Sequence, residues 1–138
     1  MTPAQITIVE ETLGALDLEA LTVDFYRRAF ERTPALASMF TSDPAIQRAR
    51  FAAELDEIVR SIRSLDTFAA EVRSLGQRHR DYGVRAAHYR LMGDALLAAL
   101  AAALGDRWTA DVEEAWMLAY NLTSETMMLG AMEDPNSN

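Results

Sequence analysis

Cysteine is absent from this 138-residue chain. That excludes a disulfide framework, an iron–sulfur cluster and a thiolate ligand to any metal. Basic residues are few: 13 Lys plus Arg against 21 Asp plus Glu, a formal net charge of −8. This balance argues against nucleic acid and against an anionic membrane as partners, since both select a basic face. No long apolar run is present. The most apolar stretch, Ala95–Leu104, is too short to cross a bilayer. The N-terminus carries neither a basic region nor an apolar core of the signal-peptide kind, so a cytoplasmic location is the expectation. Histidine is scarce too, with 2 in the chain, His79 and His88.

What the chain does have is helix signal. Half of it is hydrophobic, enough to bury a sizeable core, and its length suits one domain. Thr2-Pro3-Ala4-Gln5 reads as a capping box with proline at the first helical position, opening a helix to about Gly14. Asp17 caps a second helix with Leu18, Leu21, Phe25 and Phe30 on its apolar side, ending before Pro34. A short irregular piece through Met39-Phe40 follows. Asp43-Pro44 starts a third helix, with Ile46, Phe51, Leu55, Ile58, Val59 and Ile62 at helical spacing. Asp66 begins the next, which ends near Tyr82-Gly83. An Ala/Leu-rich helix from about Arg85 stops at Gly105, and Thr109 caps the last. The expectation is an all-α single domain over residues 1–132, of about six to seven helices, with 133–138 a frayed tail. Periodicity alone does not choose between a bundle and another helical packing.

The candidate chemistry centres on Leu75-Gly-Gln-Arg-His79-Arg-Asp-Tyr82-Gly83-Val84, followed by His88-Tyr89. His79 shares the apolar helix face with Leu75 and Val72. A histidine there fits either a satisfied core residue or a metal ligand. Gly76 either admits a flat macrocycle to this face or lets two helices close on each other. Tyr26 fits a core tyrosine with its hydroxyl at the surface as well as a pocket donor. Gln47, near a helix start, fits a solvated side chain as well as a pocket amide.

The run Leu-Gly-x-Arg-His-x-x-Tyr-Gly-Val-x-x-x-His-Tyr resembles the proximal region of single-domain bacterial haemoglobins, which are similar to the globin domain of flavohaemoglobins. The resemblance spans nearly the whole chain. It takes in Phe25-Tyr26, Phe30, Pro34, Phe40, Gln47, Leu91-Met92-Gly93, Trp108-Thr109, Trp116 and Tyr120. It implies a globin fold around haem b, with His79 as the proximal iron ligand. Tyr26 and Gln47 would be the distal stabilisers, since a phenolic O–H or amide N–H donates to the charge that ferrous iron places on a diatomic ligand. Phe40 would wedge against the ring, Phe51 would wall the distal side, and Val84, Tyr89 and Met92 would meet the proximal face or edge. Arg78 and Arg80 would reach the propionates or lie on a solvated face. His88 is structural or near the haem edge on this reading. Five- and six-coordinate ferric states, the latter through Tyr26, both suit this residue set.

The chain departs from the family at Phe51, bulkier than the leucine common there, and on its last helix. Relatives pair a glutamate of the last helix with the tyrosine corresponding to Tyr89 to bond the proximal histidine; counting from Trp116 puts Ala131 there. Glu133 lies about 200° further round the helix. The expected partners of His79 are therefore Tyr89 and a backbone carbonyl such as that of Leu75, giving a weaker electron donor than a carboxylate-paired imidazole. The implied function is reversible binding of dioxygen, nitric oxide and carbon monoxide, with nitric oxide dioxygenation as the turnover if a separate reductase supplies electrons. No glycine-rich dinucleotide loop is present. The alternative is a gas-sensing globin that signals through a protein partner. A monomer or a homodimer is expected.

Overall fold

Local capping sets most helix boundaries. In the computed structural model, which describes residues 1–133, the Thr2 hydroxyl accepts from the Gln5 N–H and the Gln5 side chain accepts from the Thr2 N–H, opening α1 at Pro3–Gly14. The Asp17 carboxylate accepts from the Glu19 and Ala20 N–H groups at the start of α2, Leu18–Arg32. Asp43 does the same for Ala45 and Ile46 ahead of α3, Pro44–Ser61. The segment expected to be irregular is a 3₁₀ helix, Pro34–Met39, because proline's fixed φ suits a first helical position even where an α-helix cannot continue. α4 covers Leu65–Asp81, starting one residue before Asp66. α5 is Ala86–Leu104. A 3₁₀ turn at Gly105–Arg107 leads to α6, Ala110–Ala131, capped by Thr109. No strand occurs among the described residues. Residues 134–138, most of the expected tail, lie outside them.

α4 packs along α6, α2 against α5 and α3, and α1 against α6. Phe25, Phe68, Ile62 and Leu100 lie fully inside this core, each stabilising the fold by roughly 1.5–3 kcal/mol through buried apolar area. Two buried polar groups are matched across helices: the Trp116 indole N–H donates to the Thr12 hydroxyl at 2.9 Å, and the Tyr120 hydroxyl donates to the Tyr89 carbonyl.

The α4–α6 contact is unusually close. A Cβ on Gly76 would stand 1.9 Å from the Met127 carbonyl oxygen, and one on Gly130 would stand 2.1 Å from that of Arg73. Of the two readings of Gly76, helix closeness is the one the structure bears out. A polar clasp lies beside this contact. Arg80 donates to the carbonyls of Ala131 at 3.0 Å and Glu133 at 2.9 Å, ending α6. The Glu133 carboxylate is held by Arg73 and by the Gln77 amide. Arg80 is thus spent on the last helix and does not serve a propionate. Glu133 is likewise tied to α4 and does not stand in for the glutamate missing at Ala131.

Candidate functional site

The helices around this core line a cavity of about 350 Å³, a volume typical of cofactor and small-molecule sites. Its walls are mainly apolar, with Phe25, Leu55, Ile58, Leu75, Leu96 and Met127 among them. His79, Tyr26, Gln47, Phe40, Phe51, Arg78, Val84, Tyr89 and Met92 all reach it. Folding thus brings to one place residues of α2, α3, α4 and α5, together with Phe40 ahead of α3 and Val84 in the α4–α5 turn.

His79 sits in the last turn of α4, whose end is fixed by glycine. Gly83 has φ +86°, a left-handed conformation. This lets the Gly83 N–H bond the Arg80 carbonyl at 2.9 Å and the Val84 N–H bond the His79 carbonyl at 3.0 Å. The pattern is a Schellman closure, for which glycine is favoured because it has no Cβ. The His79 Nδ1–H then donates to the Leu75 carbonyl at 2.9 Å. With the proton on Nδ1, a neutral imidazole presents the Nε2 lone pair, the form a metal takes. The expected backbone partner is in place. The expected Tyr89 partner is not: its ring lies 6.4 Å from that of His79, with planes 25° apart, and its hydroxyl is buried with no hydrogen-bond partner among the described residues.

On the opposite wall Tyr26 is buried, at 7% exposure, and enclosed by aromatic rings. Phe40 meets it edge-on at 5.5 Å and Phe51 at 5.8 Å, while Phe51 stacks on Phe25 at 4.5 Å. This removes the reading of Tyr26 as a core residue with a surface hydroxyl. The Gln47 amide donates to the Tyr26 hydroxyl at 3.4 Å, so Gln47 is drawn to the cavity. Burial pushes the Tyr26 phenol above its ordinary range, the Gln47 bond opposing and the Glu54 charge adding. The phenol is accordingly neutral and keeps a proton to donate.

At the rim, Arg78 lines the cavity and bonds Ser74 at 3.1 Å. His88 accepts the Arg85 N–H on Nδ1 at 2.8 Å, capping the first turn of α5, and also lines the cavity. Glu54 was missed. It lines the cavity from α3, and its signal was legible: it follows Gln47 by seven residues and Phe51 by three, so it shares their helix face.

Among the described residues, no group of three or more His, Asp or Glu gathers to hold a bare ion. The donor set is one neutral imidazole facing an apolar slot. That suits a metal arriving inside a planar macrocycle that brings its own nitrogen ligands. No helix of the described residues is long and apolar enough to cross a membrane.

Comparison with known proteins agrees with this geometry. The family model described as Globin matches residues 23–127. A flavohemoprotein of Bacillus subtilis is 27% identical over 128 residues, which are 89% of this chain and 32% of that protein. The chain thus spans about a third of the length of the curated relatives it matches. Two solved structures are similar throughout. One is an engineered carbene transferase from Rhodothermus marinus, described as a candidate nitric oxide dioxygenase. It is 27% identical with a TM-score of 0.84, covering 95% of this chain and 93% of that one. The other is a bacterial globin from Campylobacter jejuni, 25% identical with a TM-score of 0.83, covering 94% and 96%.

Proposed function

Since this chain belongs to the globin family, we propose that it holds haem b through His79 and binds dioxygen, nitric oxide and carbon monoxide under Tyr26 and Gln47. The observation that carries this reading is convergence. An imidazole on α4 and a hydrogen-bonded phenol–amide pair from α2 and α3 face one apolar cavity from opposite walls. Haem, when bound, supplies a ferrous iron that takes up diatomic ligands. The residues do the rest. Leu75 orients the imidazole through its carbonyl. Phe25, Phe51 and Leu55 exclude water. Tyr26 and Gln47 direct O–H and N–H protons at the ligand position, and Arg78 stands at the rim where propionates would emerge. Titration of the purified protein with hemin, followed by reduction and carbon monoxide, tests the reading: a Soret band that shifts with carbon monoxide supports it, and a protein that leaves hemin unbound removes it.

Within this reading the distal donors favour ligands that carry charge. Tyr26→Phe keeps the ring and deletes the donor. A hydrogen bond to a charged acceptor contributes about 1.5–3 kcal/mol, so dioxygen release measured by stopped flow is expected to accelerate roughly 10- to 100-fold, with carbon monoxide release changing far less. Equal acceleration of both would show that Tyr26 acts by packing.

The proximal side favours reversible binding over oxygen–oxygen cleavage. A neutral carbonyl on Nδ1 draws less charge onto the imidazole than a carboxylate does. The ferrous iron–histidine stretch in resonance Raman is expected below the peroxidase-like range and unmoved by Tyr89→Phe. A peroxidase-like frequency, or a shift in that variant, would count against this account. Nitric oxide dioxygenation is the turnover this site suits, with electrons from a reductase.

A further inference from the structure

Glu54 is the one carboxylate that lines the cavity among the described residues. Glu54 stands on the α3 face that carries Gln47 and Phe51, lines the same cavity and is half buried. Its neighbour Asp56 pairs with Arg60, whereas Glu54 has no hydrogen bond or ion pair among the described residues. The groups that face it are Arg50 and Glu57 on its own helix, Arg78 and His79 on α4, and Tyr26 on α2. It therefore senses both walls of the slot while being bonded to neither.

We propose that Glu54 is a cofactor-site residue whose carboxyl takes up one proton from solvent when the macrocycle covers this wall, and returns it when the macrocycle leaves. The inference rests on the haem reading. A planar ring that filled the cavity lined by His79, Gln47, Phe51 and Glu54 would cover the carboxylate and strip water from it. Arg50 and Arg78 lie beyond ion-pair distance of it, and an unpartnered buried carboxylate is neutralised rather than kept charged. Burial already pushes Glu54 above the ordinary carboxylate range, against the pull of the Arg78 and Arg50 charges. The ring adds to that burial.

The sign follows from linkage. A group that titrates higher in the loaded protein than in the empty one favours loading at low pH and opposes it as pH rises. Below the empty-protein value Glu54 is neutral in both states, and Glu54→Gln, its neutral analogue, should bind hemin equally well. Above it, the wild type loses affinity relative to the variant by about tenfold per pH unit until the loaded-protein value is passed. Taking the ratio of the two proteins cancels the titration of hemin itself.

The experiment is a Soret titration of wild type and Glu54→Gln with hemin from about pH 5 to about pH 9, bracketing carboxyl and imidazole titration. Calorimetry in buffers of differing ionisation enthalpy counts protons alongside it. The expected result is equal affinity at the acidic end, a wild type at least about tenfold weaker at the alkaline end, and about one more proton bound by the wild type. Glu54→Ala should give the same flat profile as Glu54→Gln, which keeps the test sound if one variant folds poorly. A constant ratio with tight binding by both proteins overturns the role of Glu54 and leaves the haem reading intact. Failure of both proteins to bind hemin overturns the two together.

Discussion

Replacing His79 with alanine is expected to lower hemin affinity more than about 100-fold and to abolish the ferrous iron–histidine stretch. Groups that merely orient a ligand cost about 10- to 100-fold when removed, and here the ligand itself goes. His79 is the imidazole fixed on the α4 wall by the Leu75 carbonyl, and among the described residues the other histidine and the nearby Tyr89 are engaged elsewhere. His88 has its Nδ1 bound to the Arg85 N–H at 2.8 Å, one turn into α5, and Tyr89 is held at its backbone by Tyr120. Hemin can still enter the apolar cavity of the variant by ring burial alone, so colour by itself decides nothing. The deciding measurements are the reduced and carbon monoxide spectra and resonance Raman, with imidazole added to fill the space left by the missing side chain. Recovery of an iron–imidazole signal would show that the cavity is intact and that only the ligand was lost. A variant indistinguishable from wild type would show that His79 is a core residue and that the cavity serves something else.

Gly76→Ala is expected to destabilise the protein by about 2–3 kcal/mol, a fall in melting temperature of roughly 5–10 °C for a domain of this size. The sign makes the test sharp. In an exposed helix interior the same change stabilises by about 1 kcal/mol, because alanine is the better helix former. Here the new methyl would stand 1.9 Å from the Met127 carbonyl oxygen and 2.7 Å from its Cα. Those are backbone atoms of α6, held in its own hydrogen-bond ladder, and they cannot rotate aside as a side chain can. α4 and α6 must part, which opens their interface and loosens the clasp of Arg73, Gln77 and Arg80 on the end of α6. Because His79 lies one turn further along α4, hemin affinity should fall as well. Thermal unfolding of the hemin-free protein measures the first effect and Soret titration the second. An unchanged or raised melting temperature would mean that the helices do not approach this closely.

Much of the fold was legible because its determinants act within a turn or two of helix. Thr2, Asp17, Asp43 and Thr109 each bond an N–H two or three residues ahead, so a short stretch of sequence contains both partners. Gly83 ends α4 for an equally local reason, and the position of His79 near that end follows. The apolar spacing of α2 and α3 points Phe25, Leu55 and Val59 inward without knowledge of what they meet. The 3₁₀ helix at Pro34–Met39 is local in origin too: Pro34 stops α2, and its fixed φ starts the tighter turn that follows.

The amino-acid sequence by itself determined that this chain is helical, where its helices begin and end, and which few polar side chains lie on apolar faces. Tertiary structure alone decided what those side chains meet. It chose between the two readings of Gly76, committed Arg80 and Glu133 to the α4–α6 clasp, left the Tyr89 hydroxyl without a partner and turned Glu54 into a cavity wall. Each of these depends on how two helices far apart in sequence lie against each other, Arg80 and Ala131 being 51 residues apart. Caps and periodicity are settled by bonds a few residues long. A contact across two helices is settled by the packing of the whole core, where a single Cβ is enough to change the outcome.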